Sequence, residues 1–212
     1  MPNSISHQAP ALYLKMKFPK WIDGPSVCIG AIVPDLTLMF SNLRNVSHSL
    51  LGQVLWTLPI TFVLTFIFSK YLASFISKIA QKNGFIPKIM KYFGMDNWSL
   101  LANKRFGRRV ILVVLYSSVI GGGTHLLLDL PSHRAIELFY PLALYRNLDF
   151  LWIPLADLGT ISIFSWQYHV IIMVSDVIWI VEDLIFFIIS LYLFRIIKKR
   201  DLLKDWESLN LE

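Results

Sequence analysis

Residues 121–141 read GGGTHLLLDLPSHRAIELFYP, and they carry His125, Asp129 and His133, each four residues after the last. In a helix, positions four apart lie on one face, one turn above the other. A histidine and an aspartate at that spacing can grip one metal ion from a single helix. The run before them, residues 110–123 (VILVVLYSSVIGGG), is apolar enough to be buried in a bilayer. Ionisable side chains at the end of such a run are costly unless they are paired or liganded. His125, Asp129 and His133 are therefore expected to form one wall of a metal site, with the other walls supplied from elsewhere. The triplet of glycines at 121–123 has no phosphate-loop lysine and no strand before it, so it reads as close helix packing or a wide site mouth.

Composition supports a membrane setting. Hydrophobic residues make up 55% of the 212-residue chain, charged residues only 16%, and the mean hydropathy is +0.56. That is too apolar for an ordinary soluble domain. The net charge of +6 could suggest nucleic acid, but the basic residues cluster beside apolar segments, which favours membrane orientation instead. The single cysteine, Cys28, excludes an internal disulfide and a multi-cysteine zinc cluster and reads as a core residue. The polar start MPNSISHQAP has no basic stretch ahead of an apolar one, so no cleavable signal is expected.

In chain order, residues 6–18 read as a short helix with Ser6 as its cap, followed by a turn at Trp21–Pro25. Residues 26–42 form a second short apolar segment, carrying Asp35, in which Pro34 kinks or restarts the helix. Both are shorter than a full span, so they are expected to be half-inserted or packed inside the bundle. As an antiparallel hairpin they would bring His7 and Asp35 to the same end. A first span is expected over residues 47–68 with His48 at its start, a second over 110–130, and a third over 168–194. Residues 70–109 contain nine lysines and arginines against one acid, and look like an interfacial helix and a loop. Residues 131–168 are expected to be a cap of short helices, with Phe139–Tyr145 and Phe150–Trp152 as aromatic anchors at the interface.

The positive-inside rule places the 70–109 stretch and the tail from Arg195 in the cytoplasm of a multi-pass protein of the cell membrane. All five histidines then fall at the opposite, extracytoplasmic end. The fold expected is all-α: one multi-pass helical membrane bundle over residues 1–212, with short half-inserted helices and a polar metal-site end. His7, Asp35, His48, His125, Asp129 and His133 are the candidate ligands, too many for one tetrahedral ion that keeps a free position. They suffice for two ions bridged by Asp35 or Asp129. Imidazole and carboxylate suit zinc, and also manganese or iron. Such an arrangement suits hydrolysis of phosphate esters, with Asp129 alternatively acting as general base. His169 reads as an interfacial or capping residue, because Met173 stands where a partner four residues on would be. Asp176, Glu182 and Asp183 lie in the third span at a cost, reaching a polar interior, pairing with a base such as Arg134 or Arg146, or staying protonated.

The order SH near the start, then GAIVPD (30–35), SHSLLG (47–52) and GGTHLLLDLPSH (122–133) followed by FYP (139–141), resembles the prokaryotic membrane-bound metal-dependent hydrolase-like family. The similarity covers most of residues 5–141, and the family in turn resembles the all-helical zinc-dependent phospholipase C fold. The resemblance implies metal roles for His7, Asp35, His48, His125 and Asp129, extending to His133, and a phosphodiester-type hydrolysis. The last His-x-x-x-Glu pair of that fold is absent, since His169 is followed by Met173, which points to a one- or two-metal site. The expected activity is metal-dependent hydrolysis of a lipid phosphoester or other amphipathic ester at the outer interface, with Asp129 and Asp35 as the catalytic carboxylates. The expected partners are the bilayer and a lipid-like substrate, not nucleic acid. The alternative is a non-enzymatic membrane protein that uses the same cluster to move metal ions or protons, or as a structural clamp.

Overall fold

A computed structural model describes residues 3–39, 43–132, 137–142, 148–163 and 166–202. Among the described residues three helices are long and apolar enough to cross a membrane: Leu50–Ala80, Arg108–Pro131 and Val174–Lys199. The first of these is α4; α6 (Arg108–Ser132) and α7 (Val174–Lys199) are the others. α6 is the most enclosed of the three and α7 the least.

The N-terminal hairpin packs inside the bundle. Helices α1 (Gln8–Lys17) and α2 (Gly24–Gly30) run antiparallel, since Gln8 Nε2 donates to the Cys28 carbonyl and Lys15 Nζ to that of Ile22. α1 lies against α7, and α2 against α4 and α6. Ser6 does not cap α1; that place falls to His7, whose side chain makes no capping bond. The Ser6 hydroxyl instead donates to Asp183 Oδ1 at 2.6 Å, and both nitrogens of Asn3 donate to the same carboxylate. Asp183 is thus spent on holding the N-terminus to α7, and Asp176 caps that helix by accepting from Met173 N at 2.8 Å. Asp23 caps α2 by accepting from Ser26 N, and Lys104 Nζ pairs with its other oxygen. Burial alone would raise the Asp23 carboxyl, but the Lys104 ammonium and the Ser26 bonds outweigh it and hold it below the usual carboxylate range.

α4 continues twelve residues past the Phe68 boundary expected from sequence. Lys70 is tolerated within it because its ammonium reaches the carbonyls of Ala102 and Lys104 at 3.0 and 2.9 Å. Gln53, Thr57, Thr61, Thr65, Ser69, Ala73 and Ser77 recur every fourth residue, and all are buried. On a regular helix that spacing drifts by about 40° per step. Two π-helical turns, Gln53–Thr57 and Phe68–Leu72, widen the helix and keep the stripe on one side. After it, α5 (Phe85–Tyr92) buries none of its residues, as an interfacial helix would, and a 3-10 helix (Met95–Asn103) folds back on the end of α4.

The all-α expectation needs correction. Strands β1 (Pro154–Ile163) and β2 (Trp166–Met173) form an antiparallel hairpin ahead of α7. The 168–173 segment, read as the start of the third span, is strand, and that span begins at Val174. A continuous apolar run has no period to separate helix from strand, and here the β-branched residues Val170, Ile171 and Ile172 pack better on a pleat. Gly159, at φ 73°, permits the register shift between Asp157 and Thr160. Of the expected cap of short helices, one 3-10 turn, Asp149–Trp152, lies in the described residues.

Candidate metal centre

Close backbone contact builds the site. A Cβ on Gly121 would sit 3.0 Å from the Ala31 nitrogen, and one on Gly30 would sit 2.6 Å from the Ser118 carbonyl oxygen. One on Gly122 would sit 2.8 Å from Thr57 Cγ2. Gly121 and Gly122 therefore serve close helix packing, letting α2 and α4 approach α6 where His125 emerges, while a Cβ on Gly123 would meet nothing within 4 Å. That approach brings the Ala31 carbonyl to 2.9 Å from His125 Nδ1. The carbonyl only accepts, so Nδ1 carries a proton, and Nε2 faces inward, where it offers its lone pair whenever the ring is neutral.

Four other side chains face the same place. Asp129 is one turn on, with Oδ2 3.2 Å from His125 Nε2. His48 follows α3 (Arg44–Ser47) and precedes α4, and its Nε2 lies 3.4 Å from His125 Nε2 and 3.5 Å from Asp129 Oδ2. Asp35 sits in the 3-10 helix Val33–Met39, in which the chain restarts at Pro34 after α2 ends at Gly30. Its Oδ1 is 3.5 Å from His48 Nε2 and 3.6 Å from His125 Nε2. His7 stacks on His125 at 4.1 Å and places Nε2 3.7 Å from Asp129 Oδ1. The two oxygens of Asp129 thus face different histidines, as a bridging carboxylate would.

These atoms fall into two overlapping groups able to hold an ion: His7, His125 and Asp129, and Asp35, His48 and His125. His125 offers one free lone pair, so it can serve only one ion. The fit to a cation follows from the donor set. Imidazole nitrogens and carboxylate oxygens converge at 3.2–3.7 Å, at or beyond the long end of ordinary hydrogen bonds. Ligands bonded tetrahedrally at roughly 2.0–2.1 Å to zinc stand about 3.3 Å apart.

The surroundings are dry. His7, His125 and Asp129 are fully buried, His48 nearly so, and Asp35 is the most accessible, with 12% of its side chain exposed. Burial pushes the Asp35 carboxyl up, but the His48 and His125 imidazoles outweigh it and hold it below the usual carboxylate range.

A second layer, illegible in the sequence, orients His48. Ser47 Oγ lies 2.9 Å from His48 Nδ1, and Thr37 Oγ1 lies 2.8 Å from Ser47 Oγ. Thr37 also donates to the Pro34 carbonyl, tying the Asp35 helix to the His48 turn. Gln53 Nε2 donates to the carbonyls of Ser47 and Ser49 at 3.1 and 3.3 Å. Hydroxyls and amides occur throughout the chain, and only the adjacency of Ser47 to His48 hinted at a role.

Of the six expected ligands the fold gathers five. His133 lies outside the described residues, as do Arg134 and Arg146. His169 stands apart on β2, exposed, 3.2 Å from Asp157 Oδ2. Cys28 takes no part: burial pushes its thiol up to about 12, so it stays protonated.

The family described as a domain of unknown function (DUF4184) matches residues 1–181. No curated protein and no solved structure matches the chain.

Proposed function

We propose, for a chain that belongs to the DUF4184 family, a membrane-embedded metal-dependent hydrolase acting on a phosphoester or other amphipathic ester. One observation carries this reading: five buried or nearly buried His and Asp side chains converge with ring nitrogens and carboxylate oxygens facing one another. His7, Asp35, His48, His125 and Asp129 would hold one or two divalent ions, zinc first and manganese or iron next. A bound ion supplies Lewis-acid polarisation of a substrate oxygen and activation of water.

The residues themselves do the rest. The Ala31 carbonyl keeps the His125 Nε2 lone pair inward, and Ser47 holds the His48 ring. Asp129, facing histidines with both oxygens, can bridge ions or accept a proton from the attacking water. Asp35, at the accessible edge, meets the substrate first. The buried wall of His7 and His125 excludes bulk water, which strengthens every electrostatic interaction within.

Orientation follows from charge. Lys78, Lys82, Lys88, Lys91, Lys104, Arg105, Arg108 and Arg109 lie beyond or near the far end of α4 and the start of α6. Lys198, Lys199 and Arg200 end α7. By the positive-inside rule those ends are cytoplasmic and the cluster is extracytoplasmic.

The test is hydrolysis of phosphoester lipids in vesicles by metal-loaded protein. Turnover that vanishes in Asp129→Ala supports the reading; no turnover with zinc or manganese supplied refutes it.

A second reading, ion or proton transport, is favoured by the stripe on α4. Thr57, Thr61, Thr65 and Ser69 hold buried hydroxyls that find no hydrogen-bond partner among the described residues, and the stripe runs from Gln53 beside the cluster towards the basic end. Metal or proton flux through the wild-type protein that is lost in Asp129→Ala, with hydrolysis absent throughout, would favour it.

A further inference from the structure

A groove of about 390 Å³ runs between the α1–α2 hairpin, α7 and the 3-10 helix Met95–Asn103. Its walls include Leu12, Cys28, Ile29, Trp98, Leu101 and Phe194. Ile5, just ahead of α1, and the α1 positions Gln8, Leu12 and Lys15 line it and lie three or four residues apart. The groove therefore follows one helix face along its axis, for about 10 Å. Its volume is within the roughly 300–1,000 Å³ of ligand sites. No residue of the metal cluster lines it, so it is a separate feature.

Location and lining decide the occupant. Two of its walls belong to spanning helices, Phe68 on α4 and Leu191, Phe194 and Ile197 on α7. A long, apolar trough at that place meets hydrocarbon, not water. An empty one would forfeit dispersion contacts along its whole wall. A chain already in lipid gains no hydrophobic energy by entering, so selectivity must come from a polar end. One end supplies it. Gln8 is 95% buried, and its Nε2 donates to the Ser4 and Cys28 carbonyls at 3.1 and 3.2 Å. Those acceptors fix the amide orientation. They leave Gln8 Oε1 buried with no hydrogen-bond partner among the described residues. It can take a bond from a hydroxyl or amide N–H. Gln8 follows His7 of the cluster, and Ile32, at the same end, lies one 3-10 turn before Asp35, the accessible edge of the centre. At the opposite end Lys198 and Asp201 carry opposite charges and offer no net attraction to an anionic headgroup.

We infer that this groove seats one acyl chain of a membrane lipid, with the hydroxyl- or amide-bearing part of the lipid at Gln8 and its ester directed past Asp35. The role as substrate seat rests on the hydrolase reading; the seating of the chain does not.

The experiment uses a phosphatidylglycerol, whose headgroup carries hydroxyls, with a diazirine on one acyl chain, in vesicles containing the full-length protein, followed by photolysis and peptide mapping. Labelling should concentrate on peptides carrying Leu12, Cys28 and Phe194. It should fall several-fold in Ile29→Trp, which fills the groove, while bound metal stays unchanged. Asp129→Ala should lose hydrolysis and keep the labelling. Labelling spread over the lipid-facing residues Ile185, Ile188 and Tyr192 as strongly as over the groove would overturn the inference. That result comes from the wild-type protein and needs no variant to fold. Groove labelling without any hydrolysis would overturn the substrate role, and hydrolysis without groove labelling would overturn the seat while sparing the metal centre.

Discussion

Gly121 on α6 and Ala31 at the end of α2 touch backbone to backbone: a methyl group on the glycine would sit 3.0 Å from the alanine nitrogen. The same contact delivers the Ala31 carbonyl to His125 Nδ1. Packing between two helices thus selects the histidine tautomer that faces the candidate ions. Gly121→Val should separate the helices and release that bond. Overpacking of this kind costs about 1–3 kcal/mol, so the variant should melt earlier and carry less metal. Thermal unfolding and metal analysis of the purified variant check both.

Ser47 touches no candidate ion, yet its hydroxyl is 2.9 Å from His48 Nδ1. Groups that orient a metal-bound histidine are worth roughly 10–100-fold in metal affinity. Ser47→Ala should weaken zinc binding by about that factor while the fold is retained. Competition with a chelator of known strength measures it, and unchanged affinity would remove Ser47 from the centre.

His169 provides the contrast. Its ring is half exposed on the hairpin, beside Asp157. His169→Ala should leave metal content and hydrolysis as in the wild type, where His48→Ala should lower both. A metal deficit in His169→Ala would mean that the hairpin closes over the centre in the bilayer.

Asp23 and Lys104 form a buried pair at the opposite end of the hairpin from the cluster. Removing one partner of such a pair costs about 3–5 kcal/mol, so Asp23→Asn should be markedly destabilised at neutral pH. The sign of the pH dependence follows from the lowered Asp23 carboxyl. Its folded value lies below the unfolded value of about 3.9, so the stabilisation is whole above that pH and is lost as pH falls through the folded value. The gap in melting temperature between wild type and variant should therefore be steady from about pH 8 to about pH 5 and narrow below about pH 4. A gap that widens in acid would contradict the pairing.

Much of this arrangement was legible in the chain because its signals are periodic or costly. The His125–Asp129 spacing follows from helix geometry, and ionisable groups at the end of an apolar run demand a partner. His7, Asp35 and His48 were reachable only by asking where the helix ends meet. The hairpin at 154–173 was not legible, since an apolar run ahead of a spanning helix reads as more of that helix. Asp183 looked like part of a polar interior; it holds Asn3 and Ser6, residues 177 or more positions away in sequence. The stripe on α4 was missed because a four-residue repeat aligns only where π turns widen the helix.

The central claim is that distant imidazoles and carboxylates meet in order to hold a cation. Elemental analysis of the detergent-purified wild-type protein, beside His125→Ala and Asp129→Ala of the same yield and melting behaviour, tests it most directly. The account expects stoichiometric divalent metal in the wild type and its loss from both variants. A metal-free wild type after zinc and manganese loading, or equal metal in all three proteins, would contradict it.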